Sequence, residues 1–278
     1  MFWINTGFLE LYIAVMVFVF GAIIGSFLNV VIYRFHTGKS ISGHSHCMSC
    51  LRQLRWYELF PLLSYTVLRG TCRTCKSLIP PRYFIVECIT ALGFLSIYLK
   101  GGSFEIMFLH AVLFALLLVI SVYDVYHYVI PNELVILTGV IVASFYGLSV
   151  YNEASYSILI PATLSALGAF VLFGGLWKVS KGRWLGFGDA KLAIPLAFLA
   201  GYPAVFSMIV LSFWVGALFS VFFLTIQYLL KRGQIHLRFF NSPLKMKSEI
   251  PFAPFLIAGF VLSYFYGVDV LSIISHVL

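Results

Sequence analysis

Charge is what this sequence has least of. Of 278 residues only 10% are Asp, Glu, Lys or Arg, against 61% hydrophobic residues and a mean hydropathy of +0.99. A water-soluble domain carries about 25% charged residues, so a soluble globular class is excluded. Internal repeats and low-complexity tracts are also missing, and no glycine-rich Rossmann fingerprint occurs. Acids are scarcest of all, 10 against 18 Lys and Arg.

Long apolar runs are abundant. They lie near 8–33, 83–99, 105–123, 132–150, 157–177 and 252–274, and 190–230 is long enough for two spans with a break at Gly201-Tyr202-Pro203. A bilayer span takes about 20 apolar residues, which predicts an all-α polytopic membrane protein of about eight transmembrane helices. The first run lacks a basic start and an A-x-A-like site and is too long for a cleaved signal peptide. Three parts are expected: a first transmembrane helix (1–33), a cytosolic loop (34–82) and a membrane-embedded core (83–278).

Of the 18 basic residues, eight fall in 34–82, four in 178–191 and five in 231–247; only Lys100 lies elsewhere. The positive-inside rule puts those three segments in the cytosol. Counting spans then leaves both termini outside, with the breaks at 100–105 and 150–156 facing outward. The net charge of +8 is thus explained by topology and attraction to anionic lipid, and no nucleic-acid partner is expected.

Four of the five cysteines form two pairs, Cys47/Cys50 and Cys72/Cys75, each C-x2-C, with 21 residues between them. Two such knuckles can wrap four thiolates around one Zn²⁺, although this separation slightly exceeds the commonest ribbon spacing. Two disulfides are the alternative, but a cytosolic loop keeps its thiols reduced. A loop with little core of its own gains folding energy from a metal. Four thiolates leave no open coordination position, so the zinc is expected to be structural. His44 and His46 are alternative ligands, and Cys88, inside a span, is read as packing.

Acids within or beside spans are costly and mark function. Asp124 lies at the inner end of the third span and Asp189 at the inner start of the sixth, in GFGDAK, residues 186–191. Span counting places both at the same cytosolic depth, 65 residues apart in sequence. Two carboxylates sharing one proton can activate a water and protonate a leaving amine. A helix C-terminus at Asp124, set against a helix N-terminus and Lys191 at Asp189, suggests that Asp124 holds the proton more often. Gly186 and Gly188 allow turns and close backbone approach. The bland alternative is that each aspartate only caps a helix.

With GFGDAK, an Asp seven residues before Pro131, GSFLNVVIYR (25–34), the two cysteine pairs, PLLSY (61–65), LRGTCRTCK (68–76), RYFIVE (82–87) and IPFAPFL (250–256), the sequence resembles the type IV prepilin peptidase family of GxGD-type membrane aspartyl proteases. The motifs occur in order across most of the chain. The resemblance implies cleavage, after a Gly at the cytosolic face of a bacterial plasma membrane, of the basic leader of type IV prepilins or pseudopilin and competence precursors. It implies Asp124 and Asp189 as the catalytic pair, with Gly186, Gly188 and Lys191 as their supporting loop. It also implies N-methylation of the new N-terminus with S-adenosyl-methionine, a metal-binding cysteine loop linked to that activity, and pilus or secretion assembly machinery as partner. The chain departs from the family at Asn132, where many relatives have Asp, and at Trp56-Tyr57-Glu58-Leu59, where an Asn-rich variant is common.

Four further residues are candidates for the methyltransferase or active region: Glu58, Glu87, Asn29 and Arg34. Glu87 is alternatively a buried carboxylate paired with Arg82, and helix packing with an inner anchor also explains Asn29 and Arg34. His127, one turn beyond Asp124, is read as interfacial. The rival classes are a proton- or ion-coupled transporter, a non-enzymatic assembly subunit, and a peptidase without methyltransferase activity. A transporter leaves the cysteine loop unexplained and would hold its acids near the midplane.

Overall fold

The computed structural model describes residues 6–37, 43–153, 157–231 and 250–277. Among those residues the regular structure is helical, joined by turns and irregular segments, with two isolated β-bridges. The basic run expected in 231–247 lies almost wholly outside them, as does part of the outward break at 150–156. Among the described residues six helices are long and apolar enough to cross a membrane and Ala253–Phe265 is a shorter apolar stretch, in rough agreement with the expected eight. The chain forms two units, Met1–Val119 and Ile120–Leu278.

In the first unit, helix α1 (Thr6–Arg34) packs along α3 (Arg82–Lys100). Small residues one turn apart set that contact. A Cβ added at Gly21 would meet the Ala91 Cα at 2.9 Å, and one at Gly25 would meet the Glu87 Cα at 2.8 Å. One turn further on, the Asn29 amide donates to the Tyr83 carbonyl at 3.0 Å. Residues 21, 25 and 29 therefore form one stripe of α1, and much of the helix's remaining apolar surface is exposed, as lipid-facing surface is. The segment between α1 and α3 carries both cysteine pairs, a 3-10 turn (Trp56–Glu58) and the short helix α2 (Leu63–Val67). Helix α4 (Phe104–His127) begins in this unit and ends in the next.

The second unit holds α5 (Asn132–Glu153), α6 (Leu159–Ser180), α7 (Phe187–Ala200), α8 (Ala204–Lys231) and α9 (Ala253–Phe260). Its core pairs α6 with α7 and α8 with α9, around the fully buried Phe173, Leu192, Leu196, Met208, Leu256 and Phe260. The expected hairpin over 190–230 is present, turning at Gly201 as anticipated. The expected single span over 252–274 is not. Helix α9 passes into a π turn (Val261–Phe265), Gly267 takes a φ of +65°, and α10 (Val270–Val277) starts afresh. The new helix has its own cap: Asp269 accepts the Leu271 amide at 3.0 Å, and the buried Ser207 hydroxyl accepts the Val270 amide at 3.0 Å.

Candidate active site and metal centre

Asp124 occupies the last turn of α4 and Asp189 the first turn of α7, and both are buried, at 5% and 6% exposure. Their carboxyl groups lie close enough to interact electrostatically. Asp189 Oδ2 accepts the Gly186 amide at 3.1 Å, which is the capping bond that the bland alternative anticipates. Its other oxygen, Oδ1, is buried with no hydrogen-bond partner. A buried carboxylate oxygen left open is costly, and it is also the group a water or peptide would engage.

Asp124 has a partner that span counting did not reveal. Its Oδ2 accepts the Ala253 amide, the first of α9, at 3.3 Å. Each acid therefore sits at a helix N-terminus, where the dipole favours negative charge, and the expected contrast between them loses its basis. Lys191 also turns elsewhere, donating to Asn132 Oδ1 at 2.5 Å with its ammonium 5.2 Å from the Phe187 ring centre. Lys191 and Asn132 line an otherwise apolar groove of about 670 Å³ between α5 and α7.

The glycines play a narrower part than expected. Gly186 has an ordinary φ of −72° and Gly188 is helical, so neither needs a forbidden turn. Gly188 matters for approach: a Cβ there would meet the Ile130 Cβ at 3.1 Å. His127 is exposed beside the Tyr123 ring, outside the acid pair.

The four cysteines of the loop are free thiols whose sulfurs all lie within 4.8 Å of one another. No disulfide joins any two of them, and a cluster of four is the arrangement a shared ion needs. Cys47 Sγ and Cys75 Sγ are 3.8 Å apart, which matches the edge of about 3.8 Å in a tetrahedron with Zn–S bonds near 2.3 Å. The two knuckles repeat one backbone pattern. Cys47 and Cys72 donate to the carbonyls of Arg52 and Ser77, and each accepts from the residue after its pair, Leu51 or Lys76. Those two residues are left-handed, with φ of 56° and 57°. Hydrogen bonds from the amides of Cys50 and Ser49 hold the Cys47 thiol down to about 6. The Arg52 amide favours a thiolate at Cys50 as well, but burial and the neighbouring sulfurs push that thiol up to about 11. A divalent soft cation resolves this competition, and the donor set fits one.

The loop also encloses a cavity of about 570 Å³, whose wall includes Asn29, Arg34, Glu58, Glu87, Tyr65 and Cys72. All four tentative candidates, Asn29, Arg34, Glu58 and Glu87, thus meet in one place. The partners of Glu87 are the Leu62 amide at 2.8 Å and the Ser26 hydroxyl, whereas Arg82 lies over the Tyr83 ring. Leu62 occupies a strained three-residue turn, φ 62° and ψ −50°, closed by the Leu63 amide on the Pro61 carbonyl at 2.6 Å. Glu58 accepts the Arg55 amide at 2.8 Å and the Arg52 guanidinium at 2.6 Å. Arg52 went unnoticed in the sequence because its spacing from the cysteines fits no ligand pattern.

Residues 19–101 match the Bacterial Peptidase A24 N-terminal domain family and residues 111–221 the Type IV leader peptidase family. Among curated proteins, the chain is 28% identical to a Bacillus subtilis prepilin leader peptidase/N-methyltransferase over 92% of this chain and 96% of that protein. It is 32% identical to an Escherichia coli type 4 prepilin-like proteins leader peptide-processing enzyme, over 72% and 82%. The match to a Myxococcus xanthus prepilin leader peptidase/N-methyltransferase, at 32% identity, covers 76% of this chain and 63% of that longer protein. No solved structure matches significantly.

Proposed function

Because the chain belongs to the type IV leader peptidase family, we propose that it is a multi-pass aspartyl endopeptidase that removes the leader of type IV prepilins or pilin-like precursors. The observation that carries this reading is the pair Asp124 and Asp189, buried together with one oxygen of Asp189 left open. In the proposed reaction one carboxylate takes a proton from water as its oxygen attacks the scissile carbonyl. The protonated partner then gives its proton to the leaving amine, and the peptide C–N bond breaks. The pair ends with one proton, as it began, so the roles exchange between turnovers. The basic excess in 34–82 and 178–191 favours a cytosolic site in a bacterial plasma membrane, with both termini outside. The products enter pilus or secretion assembly.

The second activity in the proposal is N-methylation of the new N-terminus. The cavity in the first unit has the size range of small-molecule sites and presents two carboxylates, Glu58 and Glu87, and the aromatic rings of Tyr33, Tyr65 and Tyr83. Rings suit stacking on adenine, and carboxylates suit ribose hydroxyls and an ammonium. S-adenosyl-methionine bound there would supply an electrophilic methyl group. The cysteine centre would hold zinc as a structural ion that closes the cavity wall.

The test reconstitutes purified protein in liposomes with a pilin-type precursor and follows leader loss on a gel. Wild type cleaves, while Asp124→Asn and Asp189→Asn do not. Either variant cleaving at the wild-type rate removes the two-aspartate mechanism. Mass spectrometry of the product with S-adenosyl-methionine present shows one added methyl group if both activities are present. An unmethylated product leaves a peptidase alone.

A further inference from the structure

The Arg52 side chain is paired with a carboxylate of the cavity wall and sits two residues beyond Cys50 of the cysteine centre. One face of its guanidinium reaches Glu58, whose side chain is only 3% exposed, with a 2.6 Å ion pair. The same guanidinium is near enough to the sulfur of Cys72, the one buried cysteine of the four, for their charges to interact. Its Nε is buried and has no hydrogen-bond partner. The Arg52 carbonyl closes the first knuckle by accepting the Cys47 amide at 2.9 Å. One residue thus meets both knuckles, through its backbone on one side and its side chain on the other.

The charges are complementary. Four thiolates around a divalent ion carry a net charge of −2, and sulfur in that state is a far better acceptor than a thiol. A guanidinium is always charged and presents donors in a fixed fork, so it can serve a thiolate and a carboxylate at once. Ser77 supplies a smaller version of the same support, its hydroxyl 3.1 Å from Cys75 Sγ and 3.7 Å from Cys47 Sγ.

We infer that Arg52 is a positioning residue that binds the metal-loaded Cys72 thiolate and the Glu58 carboxylate together, so that occupancy of the cysteine centre orders the cavity wall. The inference rests on the metal and methyl-donor readings above. Partners of metal ligands typically alter affinity about 10- to 100-fold when removed. Coupling between two sites is reciprocal, so a cavity ligand tightens the metal by the factor with which the metal tightens the ligand.

The experiment uses the full chain in detergent micelles. Zn²⁺ affinity is read by competition with a chromophoric chelator, Co²⁺ substitution by its thiolate-to-metal absorption, and S-adenosyl-homocysteine binding by calorimetry with and without Zn²⁺. Wild type binds Zn²⁺, and S-adenosyl-homocysteine binds more tightly when Zn²⁺ is present. Arg52→Gln lowers Zn²⁺ affinity about 10- to 100-fold, shifts the Co²⁺ spectrum and abolishes the coupling, and Arg52→Lys restores part of each. Leader cleavage, assigned to the other unit, reports that each variant is folded.

A double variant, Arg52→Met with Glu58→Met, separates positioning from simple structural support. It removes the ion pair without leaving a buried carboxylate unpaired, a change that many proteins tolerate. If the pair is only structural, this variant binds Zn²⁺ like wild type; if Arg52 supports the Cys72 thiolate, affinity falls as in Arg52→Gln. Wild-type Zn²⁺ affinity and Co²⁺ spectrum in both Arg52→Gln and the double variant overturn the inference alone. A wild-type chain that binds no metal removes the metal reading and the inference together.

Discussion

Asp124 Oδ2 accepts the Ala253 amide at 3.3 Å, joining the end of α4 to the start of α9. Asp189 does the same for its own helix through Gly186. Both proposed catalytic carboxylates therefore also act as backbone acceptors. An amide side chain keeps that acceptor and loses the proton chemistry. Asp124→Asn and Asp189→Asn are thus expected to retain wild-type thermal unfolding in detergent while cleavage falls on the order of 10²- to 10⁴-fold. A large loss of stability in either variant, before any test of activity, would contradict the capping geometry.

Close contact between α1 and α3 depends on two positions without side chains. Gly25→Ala drives a methyl against the Glu87 backbone, 2.8 Å away. Overpacking of this kind costs about 1–3 kcal/mol, and the loss should appear in the unfolding midpoint. Gly168, which has open space around it, is the control, and Gly168→Ala is expected to leave the midpoint unchanged or raise it.

The cysteine knuckles contain a removable strain. Leu51 and Lys76 each hold a left-handed backbone, a conformation costing most residues about 1–2 kcal/mol and glycine almost nothing. Leu51→Gly and Lys76→Gly are expected to slow Zn²⁺ release to a chelator, or leave it unchanged. Faster release from both would show that their side chains, and not their backbone angles, hold the knuckles.

Glu58 gives the loop an acid-sensitive step. Burial opposes its ionisation, but the Arg55 amide and the Arg52 guanidinium outweigh that and hold the carboxyl below its ordinary value of 4.5. A depressed folded value means the unfolded chain takes up the proton first, so the stabilisation is full above about pH 4.5. It is lost as pH falls through the folded value. Wild type should lose stability in that acid range, by fluorescence, relative to Glu58→Gln. Equal acid profiles for the two proteins would show that the ion pair does not contribute.

Much of the helical plan was legible because membrane spans are written in composition, and a run of 20 apolar residues has few other uses. The place of Asp124 and Asp189 at helix ends followed from the same runs. The paired cysteines were legible from spacing alone. What spacing does not encode is which amide or cation faces a carboxylate. Glu87 looked ready for Arg82, yet it meets Leu62, because a strained turn in the intervening loop aims that amide at it. Lys191 looked ready for Asp189, yet residues two apart on a helix point to different sides, and it reaches Asn132. The break after α9 was missed because the Gly267 turn and its Asp269 cap interrupt an apolar run without changing its hydropathy much.

The open Oδ1 of Asp189 and the occupied Oδ2 have a consequence for how this protein tolerates change. A substitution at either acid that leaves no acceptor strands a buried helix-end amide, and an unmet buried donor costs about 1–3 kcal/mol. Inactivity without misfolding is therefore confined to the few side chains that still accept a hydrogen bond. Most other replacements are expected to meet the cell's quality control before they meet a substrate, so folding itself would screen the two proposed catalytic positions.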